Sequence, residues 1–208
     1  MGWMSPGGCS TVREVDMEIN TWIEIFATLA GLLYVILLIR ENIICWPFGI
    51  FGSLLSIYLF VDGKLYSEAF LYSYYVLMGV WGWLRWNQRE QLHDNPVVRY
   101  GVSSHVPIVL IAGSGALALG YLFSTYTDAQ RPYVDAFTTA FSFAATYMQV
   151  KKVLENWIYW IVLNVVSIWL YIDRSLDIYA ALIFVYAVMS VWGLVQWRRV
   201  YQRQQVVS

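Results

Sequence analysis

Charge is what this chain has least of. Only 13% of its 208 residues are Asp, Glu, Lys or Arg, whereas 59% are hydrophobic. Soluble domains carry about 25% charged residues, so the polar surface of a water-soluble globule is missing and an integral membrane protein remains. Cysteine is nearly absent as well. Cys9 precedes the apolar runs and Cys45 lies inside one, which argues against a disulfide framework or a zinc site. Formal net charge is −1 and the basic residues are dispersed, so no nucleic-acid patch is expected. The motifs H-E-x-x-H, G-x-S-x-G and the P-loop are lacking, and with them the usual constellations of an enzyme. A seven-span retinal protein needs a lysine in its last span, but the lysines are Lys64, Lys151 and Lys152. The chain reads as a non-enzyme without a cofactor.

What is present is a series of apolar runs. A spanning helix takes about 20 mostly apolar residues. Charged or turn-forming breaks delimit spans near 20–39, 42–60, 66–86, 106–124, 134–151, 156–172 and 178–197. The expected fold is therefore all-α, with seven transmembrane helices. Residues 1–19 hold Arg13, Glu14, Asp16 and Glu18 without an apolar core, so they read as a mobile tail rather than a signal peptide. Seven crossings place the termini on opposite sides. One side receives Arg13, Lys64, Arg131 and Arg174; the other receives Arg40, Arg85, Arg89, Arg99, Lys151, Lys152, Arg198, Arg199 and Arg203. Basic loops stay cytoplasmic, so nine against four puts the tail 198–208 inside and the N-terminus outside.

The chain also resembles itself. Glu41-Asn42-Ile43-Ile44-Cys45-Trp46 reappears 114 residues later as Glu155-Asn156-Trp157-Ile158-Tyr159-Trp160, and Ser53 matches Ser167. Trp81-Gly82 and Trp86 match Trp192-Gly193 and Trp197 at 111, which implies three residues lost near Val61–Lys64. Two three-helix units, 20–86 and 134–197, are expected, joined by the segment 87–133 whose helix 106–124 inverts the chain. Such a 3+1+3 plan with parallel repeats is a transporter architecture, with substrate near the midplane between the units.

Polar side chains in lipid are costly unless they face protein or a watery cavity. Span five carries Asp135, Thr138, Thr139, Ser142, Thr146 and Gln149, and span six carries Trp157, Trp160, Asn164, Ser167 and Tyr171. Both sets advance by three or four, which is one helix face. Span two shows Asn42, Trp46, Gly49, Ser53 and Ser56, with Gly49 and Gly52 suited to close packing. Span three adds Tyr72, Tyr75, Met78, Gly79 and Gly82. The candidate substrate contacts are Asn164, Trp160, Trp157, Gln149, Ser142, Thr146, Tyr75 and Tyr72. Most of Trp81, Trp83, Trp86, Trp192 and Trp197 read as interfacial belt anchors. Glu24, Glu68 and Asp135 sit at outer span ends, and His93 and His105 belong to the third loop and its edge. A proton-driven carrier needs a titratable group inside the membrane, so passive facilitated diffusion is the expectation.

Lys152-x-x-Glu155-Asn156-Trp157-x-x-Trp160-x-x-x-Asn164-x-x-Ser167 strongly resembles the signature of PnuC-type vitamin transporters. Trp46-Pro47-Phe48-Gly49, Leu65-Tyr66, Trp81-Gly82-Trp83-x-x-Trp86 and Asp135 resemble that family's other landmarks. The resemblance implies a 3+1+3 fold related to SWEET proteins and a place in the bacterial inner (plasma) membrane. It further implies uptake of nicotinamide riboside, trapping by intracellular phosphorylation, and a homotrimer. Tyr72 stands where riboside-type members carry Gln, Gly52 and Gly79 where they carry Asn, and span seven shows Leu182, Ile183 and Trp192 where they are polar. These departures keep thiamine, as in the PnuT-like relatives, as the alternative substrate. Either vitamin is a cation with a flat ring, which aromatic faces attract.

Overall fold

A computed structural model describes residues 7–63, 66–92, 95–127 and 130–207, with side chains from Glu18 onward except at Tyr66, Ser67 and Val207. Seven helices follow one another: α1 (Gly7–Ile39), α2 (Cys45–Asp62), α3 (Tyr66–Gln91), α4 (Val102–Tyr126), α5 (Pro132–Val150), α6 (Asn156–Asp173) and α7 (Asp177–Val207). Helices satisfy every interior backbone group within one segment, which is what an apolar solvent demands. Five of them, α1, α2, α4, α6 and α7, are long and apolar enough to cross a membrane. The other two carry the more polar sequence. In α5 that follows from position: Ser142, Thr146 and Gln149 are buried with five apolar neighbours on the same helix, so protein rather than lipid surrounds them.

Helix ends differ from the sequence expectation. α1 begins at Gly7, so the tail expected to be mobile is helical from there. α3 runs to Gln91 and α7 to Val207, through the stretch expected as a cytoplasmic tail. At 1.5 Å per residue, the 33 residues of α1 measure about 50 Å, well beyond the roughly 30 Å hydrocarbon layer. Helices of this length project into water, where polar residues suit them.

Helices α1, α2 and α3 pack in sequence, as do α5, α6 and α7, while α4 lies against α5. Two crossed contacts, α3 with α5 and α1 with α7, join the sets. Their bounds recur at one displacement. Ile39 and Val150 end α1 and α5; Cys45 and Asn156 begin α2 and α6; Asp62 and Asp173 end them; Tyr66 and Asp177 begin α3 and α7. Each pair is 111 residues apart. The turns agree: Glu41 at φ 57° and Lys152 at φ 53° adopt the same left-handed conformation, closed by Asn42 N–H to Leu37 O at 3.0 Å and Val153 N–H to Met148 O at 2.9 Å. The displacement of 114 and the three-residue deletion are thus corrected. The recurrence of Glu-Asn followed by Trp is offset by three residues from the structural register, close to one helical turn, so it mimics a matching face.

Candidate functional site

At the end of the bundle where α1 turns into α2 and α5 into α6, four tryptophans form the core. Trp46 meets Trp86 edge-on at 5.3 Å and Trp157 meets Trp197 edge-on at 5.4 Å, both at 90°. Gly82 and Gly193 make this possible, since a Cβ there would stand 2.5 Å and 2.6 Å from the Trp46 and Trp157 rings. Trp86 and Trp197 are 1% and 0% exposed, which corrects their reading as belt anchors. Trp86 Nε1–H donates to Val150 O at 3.0 Å, and Trp197 Nε1–H to Leu38 O at 3.2 Å. Each indole ties the third helix of one set to the first helix of the other. Trp83 and Trp192, each 46% exposed, keep surface positions.

Between the two turns, the Lys152 ammonium reaches Glu41 at 2.9 Å. It also donates to Asn95 O at 3.1 Å and sits 4.5 Å from the Trp86 ring centroid. The segment 95–101 lies across the α5–α6 turn as a strap: Val98 N–H donates to Lys152 O at 3.0 Å and Leu154 N–H to Val98 O at 2.8 Å. Glu155 fastens it through Arg99 at 3.1 Å and the Tyr100 N–H at 3.0 Å. Two residues of the Lys-x-x-Glu-Asn-Trp motif, Lys152 and Glu155, therefore close this end. Trp157, expected at the substrate, is 1% exposed and belongs to the tryptophan core.

Toward the middle of the bundle, polar side chains from five helices meet. Gln149 on α5 accepts from Trp160 Nε1–H on α6 at 2.8 Å and donates through Nε2 to the Tyr34 hydroxyl on α1. Tyr75 on α3 lies near Ser142 on α5, and Thr146 donates to Ser142 O at 2.8 Å. Asn164, 8% exposed, donates to Ser190 Oγ on α7 at 3.1 Å, and Ser190 donates to Tyr186 O at 2.8 Å. Tyr72 stacks edge-on to Tyr75 at 5.3 Å and packs on Phe60 at 5.1 Å. Of the expected contacts, Gln149 and Trp160 are brought into bonding distance.

Sequence reasoning missed Tyr34, Tyr186 and Ser190. Tyr34 is an isolated hydroxyl in an apolar run, which has no stripe to reveal it. Tyr186 and Ser190 stand four apart on span seven, a short stripe overlooked beside Leu182 and Ile183. Gly52 and Gly79 serve packing: a Cβ would stand 3.2 Å from Ala30 Cβ and 2.7 Å from Ile50 Cγ1.

The opposite end is held by ion pairs at the surface. Arg174 reaches Asp135 at 2.7 Å, and Arg131 forks onto Asp173 at 3.0 and 3.1 Å. The hydrogen bond to Asp173 and its charge raise the Arg131 pKa further above its ordinary value. Tyr179 O–H to Glu24 at 3.1 Å links the sets there. Two apolar recesses, lined by Phe137, Phe141 and Tyr159 and by Pro47, Phe48 and Phe51, include none of the expected contacts. Among the described residues no three His, Cys, Asp or Glu gather as metal ligands; His93 lies outside them.

Residues 21–199 match the protein family described as nicotinamide mononucleotide transporter. The chain is 23% identical over 180 residues to the riboflavin/roseoflavin transporter RibM of Streptomyces davaonensis, covering 85% of this chain and 84% of that one. It is 22% identical over 179 residues to the nicotinamide riboside transporter PnuC of Escherichia coli, covering 71% and 73%. The crystal structure of the vitamin B3 transporter PnuC superposes with a TM-score of 0.72 at 22% identity, over 93% of this chain and 88% of that one. At that identity the superposition speaks for the fold.

Proposed function

The chain belongs to the nicotinamide mononucleotide transporter family, and from that premise we propose that it carries nicotinamide riboside across the bacterial inner membrane by facilitated diffusion. The observation that carries this reading is the meeting of hydroxyl, amide and indole groups from α1, α3, α5, α6 and α7 inside an otherwise apolar bundle. Buried polar groups of that kind suit a ligand with both donors and acceptors, and indole and phenol faces suit a cationic ring. In this reading Asn164, Trp160, Gln149, Ser142, Thr146, Tyr75 and Tyr72 line the substrate, while Trp157 supports the wall from the tryptophan core.

The division into two three-helix units, α1–α3 and α5–α7 with α4 as the inverting linker, belongs to the same proposal, as does the orientation with the C-terminus inside. On that orientation the Lys152–Glu41 pair, the crossed indole bonds and the strap form the cytoplasmic seal. The structure then corresponds to an inward-closed state, and release of substrate requires those bonds to part. Charged side chains lie toward the span ends, which supports passive rather than proton-coupled movement. A kinase phosphorylating the substrate inside the cell turns equilibration into uptake.

Flux of labelled nicotinamide riboside into proteoliposomes tests the reading. Saturable entry to equilibrium without any ion gradient is expected, and a kinase with ATP sealed inside is expected to convert it into accumulation. Absence of entry, or accumulation abolished by an ionophore, overturns it. A second reading rests on the riboflavin/roseoflavin relative: in the same vesicles, riboflavin entry without riboside entry would favour a flavin as the cargo.

A further inference from the structure

The hydrogen bonds around Gln149 have a direction fixed by chemistry. The Trp160 indole N–H donates and cannot accept, and it lies 2.8 Å from Gln149 Oε1. The amide orientation is thereby settled by its partner, which leaves Nε2 facing Tyr34. An amide NH2 only donates, so the Tyr34 oxygen accepts and its own proton is left to give elsewhere. Among the described residues Gln149 is the hydrogen-bond partner of the Tyr34 hydroxyl, with Cys45 and Tyr75 nearby. The Tyr34 ring is held from below: a Cβ on Gly49 would stand 2.8 Å from Cδ2, and Trp46 packs at 6.0 Å. A phenol so placed, with its oxygen already accepting from Gln149 and its proton left to give, is a preset donor.

We propose that Tyr34 is a specificity-determining residue, whose O–H donates to the carbonyl borne by the ring of the transported molecule, with Trp160 and Gln149 as the relay that aims it. For the substrate proposed above this atom is the carboxamide oxygen, so the proposal rests on the transport reading and adds its discriminating contact. A ligand without that acceptor leaves the buried O–H unpaired, and an unpaired buried donor is costlier than a merely absent bond. The site therefore selects for the carbonyl.

Binding of nicotinamide riboside is compared with that of 3-methylpyridinium riboside, which keeps the charge and the ribose but lacks the acceptor. Purified full-length protein is expected to prefer the carboxamide about tenfold, the range of one buried hydrogen bond. Tyr34→Phe keeps ring and volume and is expected to erase that preference by weakening the carboxamide ligand alone. Trp160→Phe frees the amide to turn, so Tyr34 can donate to Gln149; the preference is expected to fall although Tyr34 is untouched. Equal weakening of both ligands by Tyr34→Phe, or unchanged preference, overturns the proposal while the transport reading stands. Wild-type protein that binds neither nicotinamide riboside nor riboflavin overturns both.

Discussion

Displaced by 111 residues, Trp46, Gly82 and Trp86 become Trp157, Gly193 and Trp197, whereas Leu38, Gly49, Ser53 and Gly79 become Gln149, Trp160, Asn164 and Ser190. The residues that recur are those whose contacts recur: an indole on a glycine, and a second indole bonded to the opposite set's carbonyl. Those that differ supply the amide, indole and hydroxyl groups at the centre. Two sets whose helix bounds recur at one displacement can hold a bundle together by like contacts, but the nucleoside of the proposed function has no such repeat. On that proposal the asymmetric chemistry is written on the α5–α7 set, with Tyr34, Tyr72 and Tyr75 completing it from the other. The turns diverge for a related reason. Like charges at equivalent positions of two turns that meet would repel, and Glu41 opposite Lys152 attracts.

The largest effect is expected at that charge pair. The Lys152 and Glu41 side chains are 6% and 18% exposed, so Lys152→Met strands a mostly buried carboxylate. Breaking a buried pair costs about 3 kcal/mol or more, to be read as a lowered melting temperature in detergent. The exchange Glu41→Lys with Lys152→Glu is expected to recover part of it, the Trp86 contact being lost. A Lys152→Met variant as stable as the parent would remove the pair from the seal.

Next come the two glycines, where the sets are alike. Gly82→Ala and Gly193→Ala each push a methyl into an indole, an overpacking worth about 1–3 kcal/mol. Similar losses for the two variants are expected, since the rings stand at 2.5 and 2.6 Å. A large loss at one and none at the other would break the equivalence.

Asn164 and Ser53 sharpen the comparison where the sets differ, for both are buried at 8%. Asn164→Leu is expected to weaken nicotinamide riboside binding about 5- to 150-fold, the equivalent of about 1–3 kcal/mol. Ser53→Ala is expected to leave affinity near that of the parent. Loss of melting temperature with unchanged affinity in Asn164→Leu would make its bond to Ser190 a scaffold contact.

Much of the fold was legible because lipid and core impose simple patterns. Apolar runs between charged breaks marked seven helices, and stripes on spans five and six marked Gln149, Trp160 and Asn164 as polar groups that would face protein, where they are hydrogen-bonded. Polar helix ends were not legible, since the residues of α1 and α7 beyond the bilayer need no apolar signal to stay helical. Trp86 and Trp197 were misread because buried and interfacial indoles share the same place near a helix end. The distinguishing mark is a glycine four residues earlier, Gly82 or Gly193, which lets a neighbouring indole close in. Tyr34 was invisible for a different reason: its role depends on Gln149, 115 residues away, and no local spacing encodes that.

The smallest effect is expected at the far end, where the sets differ by one charge in the same contact. Arg131 and Asp173 stand 111 residues beyond Asn20 and Asp62. Asn20 donates to Asp62 at 2.9 Å, as Arg131 does to Asp173 at 3.0 and 3.1 Å. The side chains of Arg131 and Asp173 are 47% and 30% exposed, so water and salt screen the charge and ordering the two side chains offsets what attraction remains. Arg131→Asn copies the first set's version into the second. It removes the fork and the contact with the Trp169 ring at 5.5 Å, both at the surface. No resolvable change in melting temperature is expected at moderate salt, and none in nicotinamide riboside affinity. A marked fall in stability that high salt reproduces in the parent would mean that the extra charge, rather than the shared hydrogen-bond geometry, holds this end together.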